Sequence, residues 1–407
     1  AVPGGGEEID YFEPDMGIDE QTMQREFANV RFRAVPGALY HSYPDTYQEQ
    51  GRQVPVGEVG SGDPITGAPP PDRNAPVSVL EKAGLPHSPN GGGGIDYTGD
   101  LIGEAQHYAF RCLTLARHEP FDVVHAHDWL TYPAGIAVSQ ATGKPLIVHV
   151  HSTEFDRAGD HIHQEVYDIE RRGMHAATRV VCVSKLTASI VEHRYGVPAS
   201  RIDVVYNGLE NGVSETTPQM NIRKQDRIVL FLGRITMQKG PEYFIAAAKH
   251  VLEKVPNAKF IMAGTGDKTR DIIEMAAAEG IGHRVLFTGF LHRKDVERVY
   301  KMADVYVMPS VSEPFGIACL EAISHDVPVI ISKTSGVAEV LTHALKVDFW
   351  DTHEMANKII AVLKHPPLSS TLREHADIEV RRLSWDDAAR KCRDSYDKAL
   401  RPTMPGA

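Results

Sequence analysis

Apolar residues in the first half of the chain occur in short continuous runs with amphipathic segments between them. The strand-like runs are Asp122–Ala126, Pro145–Val150, Arg179–Val183 and Ile202–Tyr206. The helix-like segments are residues 100–118, Trp129–Gln140 and Ser184–Tyr195, with Ser184 as the predicted N-cap. Such alternation is typical of a parallel sheet that helices cover on both faces.

A second series of the same kind begins at residue 228. Its strand-like runs are Ile228–Leu232, Lys259–Ala263, Val285–Thr288, Val305–Met308 and Val327–Ser332. Its helix-like segments are Glu242–Val255, Arg270–Glu279, Lys294–Met302, Gly316–His325, Thr352–Leu363 and Trp385–Leu400. The predicted fold class is therefore α/β, with two Rossmann-like parallel-sheet domains that face a central cleft at the carboxyl ends of their strands.

Polar and Pro/Gly-rich segments divide the chain. The predicted divisions are an N-terminal domain over 1–206, a linker over 207–226, a C-terminal domain over 227–384, a final helix over 385–400 and a frayed tail over 401–407. Residues 48–94 predict a flexible insertion in which only Ser78–Gly84 is suited to a helical turn or two, and a short strand is predicted before it at Val30–Val35. Whether the final helix crosses back to the first domain stays open.

The composition narrows the class of protein. Apolar residues make up 42% of the 407 positions and charged residues 24%, which is ordinary for a globular chain. The net charge of −11 argues against an extended grip on nucleic acid, and no apolar run is long enough to predict a transmembrane helix. Four scattered cysteines without a CxxC pair disfavour a disulfide framework or a cysteine zinc site, so we expect a cytoplasmic location.

The strongest chemical signal is the segment Pro309–Ala322, which reads PSVSEPFGIACLEA. We expect Pro314 to open a helix, with Glu313 in the loop at its tip and Glu321 about two turns in. The N–H groups predicted to face an anion there are those of Phe315, Gly316 and Ile317. Carboxylates on either side suit sugar and ribose hydroxyls, whereas the alternative is a capped helix with Glu313 in solvent.

A second signal places cations beside the same cleft. The segment Phe231–Gly240 reads FLGRITMQKG, so Gly233 ends a strand and Arg234 and Lys239 lie in the loop before a helix. Arg234 can bind phosphate through two hydrogen bonds and Lys239 as a point charge. The segment lacks the GxxxxGK pattern of a P-loop, and the alternative is two surface cations in a turn.

Three weaker motifs follow later strands of the second series. Gly264 and Gly266 follow Ile261–Ala263 and predict a close approach of a nucleotide to the backbone. Phe290 and Leu291 follow the next strand and border the predicted base site. Ser335-Gly336-x-x-Glu339 follows Val327–Ser332 and predicts another helix that starts at the cleft.

Two His-x-His pairs end strands of the first series. His125 and His127 precede Asp128-Trp129, and His149 and His151 precede Ser152-Thr-Glu154. Alternation along a strand places both histidines of a pair on one face. Three roles for these pairs are open, namely a metal centre, structural packing and polar contacts with substrate. We favour polar contacts because neither pair is followed by a third set of ligands. The predicted acceptor-side residues are His127, Asp128, Trp129, Ser152 and Glu154.

Taken together, these motifs resemble the retaining glycosyltransferases of family 4, which have the GT-B fold, and most of all the glycogen or starch synthase type. The resemblance covers about residues 96–400. It is carried by HAHDWLTYPAG (125–135), HVHSTEFDR (149–157), YDIERRGMHAATRVVCVSKLT (167–187), VVYNGLE (204–210), GRITMQKG (233–240), AGTG (263–266), LFTGFL (286–291) and SEPFGIACLEA (312–322). The Glu-x7-Glu spacing from Glu313 to Glu321 is the signature of that family.

The resemblance implies roles for individual residues. Glu313 matches the carboxylate that contacts the donor sugar, and Glu321 the one that binds the ribose. Arg234 and Lys239 match the cations that neutralise the diphosphate, with backbone donors at 315–317 beside it. His151 matches the histidine near the C6 hydroxyl or leaving region of the donor sugar. No metal or other cofactor is implied, because the cations and the helix tip stabilise the leaving diphosphate.

The implied partners are a nucleotide sugar, such as ADP-glucose or UDP-glucose, and a glycan acceptor, with the oligomeric state open. The first strand and glycine-rich loop of the family have no match, so we expect about 30 to 50 further residues before Ala1, roughly one βα unit and a strand. Ser335 stands where many relatives carry glycine. The open alternatives are a small-molecule or lipid-linked acceptor, an inactive nucleotide-sugar-binding protein, and a metal-dependent hydrolase built on the histidine pairs.

Overall fold

The computed structural model describes residues 101–209 and 226–401. Several sequence-based predictions fall wholly or mostly outside these residues. They are the strand at Val30–Val35, the insertion at 48–94, the helical turn at Ser78–Gly84, the linker at 207–226 and the tail at 401–407.

Within residues 101–209, the first sheet contains four parallel strands in the order β1-β2-β3-β4. The strands are β1 Val124–His127, β2 Leu146–Val150, β3 Arg179–Cys182 and β4 Ile202–Val204. The helices around them are α1 Leu101–Ala116, α2 Asp128–Thr142, α3 Glu154–Ala158, α4 Gln164–Ala176 and α5 Lys185–Tyr195. Every residue of β2 is buried, as expected for a central strand covered on both faces.

The second sheet contains six parallel strands in the order β10-β9-β8-β5-β6-β7. The strands are β5 Arg227–Leu232, β6 Ala258–Ala263, β7 Val285–Gly289, β8 Val305–Met308, β9 Val329–Ser332 and β10 Leu345–Val347. The helices are α6 Pro241–Lys254, α7 Thr269–Ala278, α8 Arg293–Met302, α9 Ile317–Ser324, α10 Thr352–Lys364 and α11 Pro366–Val380. The strand order reverses between β5 and β8, and a crevice forms beyond the strand ends at such a switch point.

The predicted α/β architecture of two parallel sheets is confirmed, and the differences are local. Helix α11 starts at Pro366 and Pro367, which look like a break in the sequence, although proline is well suited to the first turn of a helix. Helix α4 and the short strand β10 were not predicted either. The predicted helix at Ser335–Glu339 is only a single 3₁₀ turn, Gly336–Glu339.

The final helix, α12 (Trp385–Leu400), packs against the first sheet after the chain has completed the second. Its Ala388 lies in one apolar cluster with Ile147 of β2 and Val181 of β3. Lys398 Nζ lies 2.6 Å from Asp203 Oδ1 of β4. The last helix therefore ties the two halves of the chain together behind the cleft.

Candidate active site

The loops after β5 and β8 meet at the switch point of the second sheet. Lys239 Nζ lies 2.6 Å from Glu313 Oε2, and Ser310 Oγ donates to the same oxygen at 3.0 Å. The Lys239 side chain is 22% exposed and the Glu313 side chain 8%. The structure thus joins the two strongest sequence motifs in one ion pair, and the alternative with Glu313 in solvent is wrong.

The helix of the Glu313 motif starts later than predicted. Helix α9 begins at Ile317, and Gly316 precedes it with φ 112°, a conformation that other residues rarely adopt. Pro314 therefore does not open the helix, and Glu321 lies about one turn into it rather than two.

The residues before Gly316 pair with another loop instead of forming a helical turn. The Glu313 N–H donates to Thr334 O at 3.0 Å, and the Gly336 N–H donates to Glu313 O at 2.8 Å. The Val337 N–H donates to Phe315 O at 2.7 Å, and Phe315 itself is buried. This pairing holds Glu313 in an extended segment over the strand ends, which local propensity alone does not predict.

Glu321 and Arg234 belong to the same two segments as the ion pair. The Tyr300 hydroxyl lies 3.1 Å from Glu321 Oε2 on α9. Arg234 Nη2 donates to Gln238 Oε1 at 3.3 Å, within the loop that carries Lys239. Both cations therefore follow β5 and both carboxylates follow β8, and these strands are neighbours at the switch point.

Gly264 and Gly266 are required by packing between two loops. A Cβ on Gly264 would lie 2.0 Å from Gly233 O, and one on Gly266 would lie 2.3 Å from Ile235 O. The loops after β5 and β6 cross closely at both points, which is a structural reason for glycine beside the predicted nucleotide contact. Phe290, at the end of β7, is 55% exposed.

The four histidines of β1 and β2 stack as a ladder. The rings of His125 and His127 are 4.3 Å apart, as are those of His149 and His151. The register pairs His127 with His149 across the strands, and their rings stack at 5.1 Å. His127 Nδ1 and His151 Nε2 share a hydrogen bond of 2.9 Å. The two pairs thus form one cluster, which the sequence does not reveal.

Burial keeps the rings of His125 and His149 neutral. Burial first, and then the neighbouring imidazoles, lower the pKa of His149 to about 2 and that of His125 to about 3. The pKa of His127 is also lowered, first by burial and then by His151. A nitrogen from each of these three rings lies within 4.8 Å of the others, which brings metal binding into question. The same rings also stack on one another as packed side chains do, and the absence of a metal stays a prediction.

Asp128 organises the backbone after β2. It has φ 56°, and its Oδ1 accepts the N–H groups of His151 at 2.8 Å and Ser152 at 3.4 Å. Arg157 Nη1 donates to Ser152 Oγ at 2.7 Å and pairs with the buried Glu170. His151 is therefore held at a fixed position at the edge of the first sheet.

Two of the predicted acceptor-side residues lie inside the first domain. Glu154 is fully buried, and its carboxylate accepts from Arg157 Nε at 3.2 Å and the His163 N–H at 3.0 Å. Trp129 belongs to the apolar core beneath β1 and β2. The prediction that these two side chains face an acceptor is corrected: they support the strand-end loops.

Sequence reasoning overlooked the buried network behind His151. Glu170 bonds to Arg157 and to the Tyr195 hydroxyl, and it accepts the Glu154 N–H at 3.0 Å. Burial raises the pKa of Glu170 to about 6, although Arg157 acts in the opposite direction. The signal for this network in the sequence is Glu170 itself. It is a charged residue in the segment that forms α4, and its position looks solvent-exposed in the sequence.

The two domains touch across the cleft at several points. Ser312 Oγ donates to Asp156 Oδ1, and the ring of Tyr206 stacks on Phe315 at 5.9 Å. Glu339 bonds to backbone N–H groups of α5. The segment that carries Glu313 is therefore in direct contact with α3, which follows β2, and with the residues that follow β4.

Two parallel-sheet domains with their strand ends facing across a cleft define the GT-B class of glycosyltransferases. The Anabaena protein HepE in complex with UDP and glucose superposes with a TM-score of 0.63 at 21% identity, over 74% of this chain and 84% of that one. Sucrose-phosphate synthase from Thermosynechococcus elongatus also gives a TM-score of 0.63, at 22% identity over 75% of this chain and 81% of that one. These similarities confirm the GT-B fold.

Sequence comparison identifies the family. Residues 86–211 match Glycosyltransferase Family 4, and residues 213–378 match Glycosyl transferases group 1. An uncharacterized glycosyltransferase of Methanocaldococcus jannaschii is 30% identical over 69% of this chain and 76% of its own length. A D-inositol 3-phosphate glycosyltransferase of Mycolicibacterium smegmatis is 29% identical over 70% of this chain and 69% of its own length. The chain belongs to the family 4 glycosyltransferases. Among the helices of the described ranges, none is long and apolar enough to cross a membrane.

Proposed function

We propose that the protein is a retaining hexosyltransferase that moves glucose from a nucleoside-diphosphate sugar to a hydroxyl of a glycan acceptor, as glycogen and starch synthases do. The observation that carries the proposal is the Lys239–Glu313 pair at the strand-order switch of the second sheet. This position is where α/β sheets bind ligands, and it combines a cation for phosphate with a carboxylate for sugar hydroxyls.

Each donor-side residue has a chemical task in this proposal. Arg234 and Lys239 neutralise the diphosphate, together with the amides at the start of α9. Glu313 accepts hydrogen bonds from hydroxyls of the transferred hexose, and Glu321 accepts those of the ribose. Gly233, Gly264 and Gly266 let the strand-end loops cross closely, and Phe290 and Leu291 border the base.

Transfer proceeds with retention in this proposal. The bond between C1 of the hexose and the diphosphate oxygen breaks, and the electron pair leaves with the diphosphate. The acceptor hydroxyl attacks C1 from the same face and forms the new glycosidic bond, while its proton passes to the departing phosphate oxygen. Arg234 and Lys239 stabilise the negative charge that develops on the leaving group, which is the step where fixed cations accelerate the reaction most.

The first domain supplies the other wall of the site. His127 and His151, at the ends of β1 and β2, are hydrogen-bonded to each other. In this proposal their rings are polar contacts for the hexose or the acceptor. The charge of the leaving group is balanced by the two cations, so we propose that the reaction uses no resident metal. All four cysteines are free thiols, which supports the proposed cytoplasmic compartment.

A small-molecule or lipid-linked acceptor is the second candidate, and the names of two relatives favour it. One is the D-inositol 3-phosphate glycosyltransferase described above. An Escherichia coli galactosyltransferase named for a diphosphoundecaprenol-linked acceptor is 28% identical over 54% of this chain and 60% of its own length. Acceptors of these kinds therefore belong in the same test as glycogen.

The test is a matrix of donors and acceptors. The protein is incubated with ADP-glucose, UDP-glucose or UDP-galactose and with glycogen, inositol phosphate or a polyprenyl-linked sugar, with and without a chelator. We expect release of nucleoside diphosphate that depends on the acceptor, an α-linked product by NMR, and no loss with the chelator. Donor binding without turnover in every combination would contradict the proposed transfer, and loss of activity with the chelator would contradict a metal-free reaction.

A matched pair of lysine variants links this activity to the proposed site. Lys239→Ala removes the cation at the switch point, whereas Lys249→Ala removes an ion pair of the same 2.6 Å length with Glu279 at the exposed surface of α6. Turnover should fall only in the first variant.

A further inference from the structure

Glu339 joins the two domains through a carboxylate that binds backbone amides. Its Oε1 accepts the Leu186 N–H at 2.7 Å, and its Oε2 accepts the Lys185 N–H at 3.0 Å. The Tyr206 hydroxyl also donates to Oε2 at 3.0 Å. Glu339 belongs to the C-terminal domain, whereas Lys185, Leu186 and Tyr206 belong to the N-terminal domain.

The amides in question are the first ones of helix α5. The first N–H groups of a helix have no partner within it, and the helix dipole favours a negative charge at that end. Ser184 already satisfies a later amide, because its Oγ accepts the Thr187 N–H at 3.0 Å. Glu339 thus completes the cap of α5 from the opposite domain.

Close approach at Gly336 shows that the two domains are in tight contact at this turn. A Cβ at this position would lie 2.5 Å from Ser184 Cβ in the other domain and 2.2 Å from Pro314 O. Only glycine therefore permits the 3₁₀ turn Gly336–Glu339 to lie between α5 and the Glu313 segment.

The same turn is bonded directly to the residues proposed to bind the donor. The Gly336 N–H donates to Glu313 O at 2.8 Å, and the Val337 N–H donates to Phe315 O at 2.7 Å. The contact of Glu339 with α5 and the position of Glu313 are thus linked through one short, rigid turn.

We propose that Glu339 is a positioning residue, which holds the two domains closed over the cleft and thereby sets Glu313 against the transferred hexose. This inference rests on the proposed function, since the role of Glu313 does. A donor nucleotide makes its contacts within the C-terminal domain, so loss of the Glu339 contact leaves nucleotide affinity intact and lowers turnover.

The chain offers a matched control for this contact. Glu379 also accepts two successive backbone N–H groups, those of Thr342 at 2.9 Å and His343 at 3.1 Å, but all three residues lie in the C-terminal domain. Glu379→Gln therefore weakens the same kind of bond between a carboxylate and two successive amides, in a loop away from the domain interface. Tyr206→Phe removes only the third hydrogen bond of Glu339.

The experiment compares Glu339→Gln, Tyr206→Phe and Glu379→Gln in three measurements. They are kcat for nucleoside diphosphate release, the Kd of UDP and ADP by calorimetry, and amide hydrogen exchange. We expect kcat to fall about tenfold or more in Glu339→Gln and less in Tyr206→Phe, with Kd unchanged, since each lost bond involves a charged acceptor. Exchange should quicken at 185–186 and at 336–337 in Glu339→Gln, and only at 342–343 in Glu379→Gln.

Two results would overturn the role of Glu339. One is an unchanged kcat in Glu339→Gln, or a loss that Glu379→Gln matches. The other is a nucleotide Kd that weakens in proportion to kcat. If the wild-type protein turns over no donor, the proposed function fails by itself, and hydrogen exchange then decides the contact: unchanged protection at 185–186 in Glu339→Gln contradicts it.

Discussion

Lys239 and Glu313 are separated by 74 positions in the chain, yet Nζ of the first lies 2.6 Å from Oε2 of the second. Lys239 follows β5 and Glu313 follows β8, and these strands are neighbours at the point where the strand order reverses. The ion pair is partly shielded from water, which strengthens it relative to a surface pair. In the proposed function, the diphosphate of the donor competes with Glu313 for Lys239, and the ion pair holds the lysine in place before the donor binds.

Removal of either predicted cation should lower turnover. We expect Lys239→Ala and Arg234→Ala each to reduce kcat by about 10²–10³, or roughly 3–4 kcal/mol, because negative charge develops on the leaving diphosphate. Steady-state kinetics with the best donor measures the effect, and Lys249→Ala is the surface control. A kcat near that of the wild type in both variants would contradict the assignment.

The two carboxylates of the Glu-x7-Glu motif should respond differently to removal. Glu313→Ala should mainly lower kcat, since Glu313 is the proposed ligand of the transferred sugar and pairs with Lys239. Glu321→Ala should mainly weaken nucleotide binding, since Glu321, which Tyr300 hydrogen-bonds on α9, is the proposed ligand of the ribose. Calorimetric Kd values and kcat separate the two effects. If both variants changed only thermal stability, with donor affinity and turnover intact, the carboxylates would be structural caps.

The second domain was the more predictable half of the site because its chemistry lies in contiguous motifs. The sequence shows the strand before Arg234 and Lys239 and the helix after Glu313 as local patterns, together with the turns that join them. The start of α9 was misplaced since the pairing of Glu313 and Phe315 with the loop at Gly336 depends on residues about twenty positions away.

The first domain was less predictable because its site depends on register and burial. The contact between the two His-x-His pairs follows from the alignment of His127 with His149, which no pattern in either strand specifies. Glu154 and Glu170 look like surface charges in the sequence, yet both are buried and paired around Arg157. Buried ionic networks of this kind are visible only when the tertiary partners are known.

Purified protein should contain no stoichiometric zinc or iron. The rings of His125 and His149 are almost parallel, with an interplanar angle of 4° and centroids 5.4 Å apart, so their lone pairs do not converge on one ion. Elemental analysis after extensive dialysis measures the metal content. About one metal per chain that is lost in the double variant His125→Ala/His127→Ala would contradict this expectation and restore the hydrolase alternative.

The histidine ladder should make the fold sensitive to acid. Burial lowers the pKa of His149 to about 2 and that of His125 to about 3 in the folded state, whereas an unfolded histidine titrates near pH ~6.5. Between pH ~6.5 and pH ~3 the unfolded chain therefore binds more protons, and the free energy of unfolding decreases as the pH falls. His149→Leu should reduce the dependence of the unfolding free energy on pH by the equivalent of up to one bound proton. Urea unfolding at pH 7 and pH 5 measures this free energy. The exposed His193→Leu on α5 serves as the control, and equal slopes in the wild type and in His149→Leu would show that His149 is not kept neutral by burial.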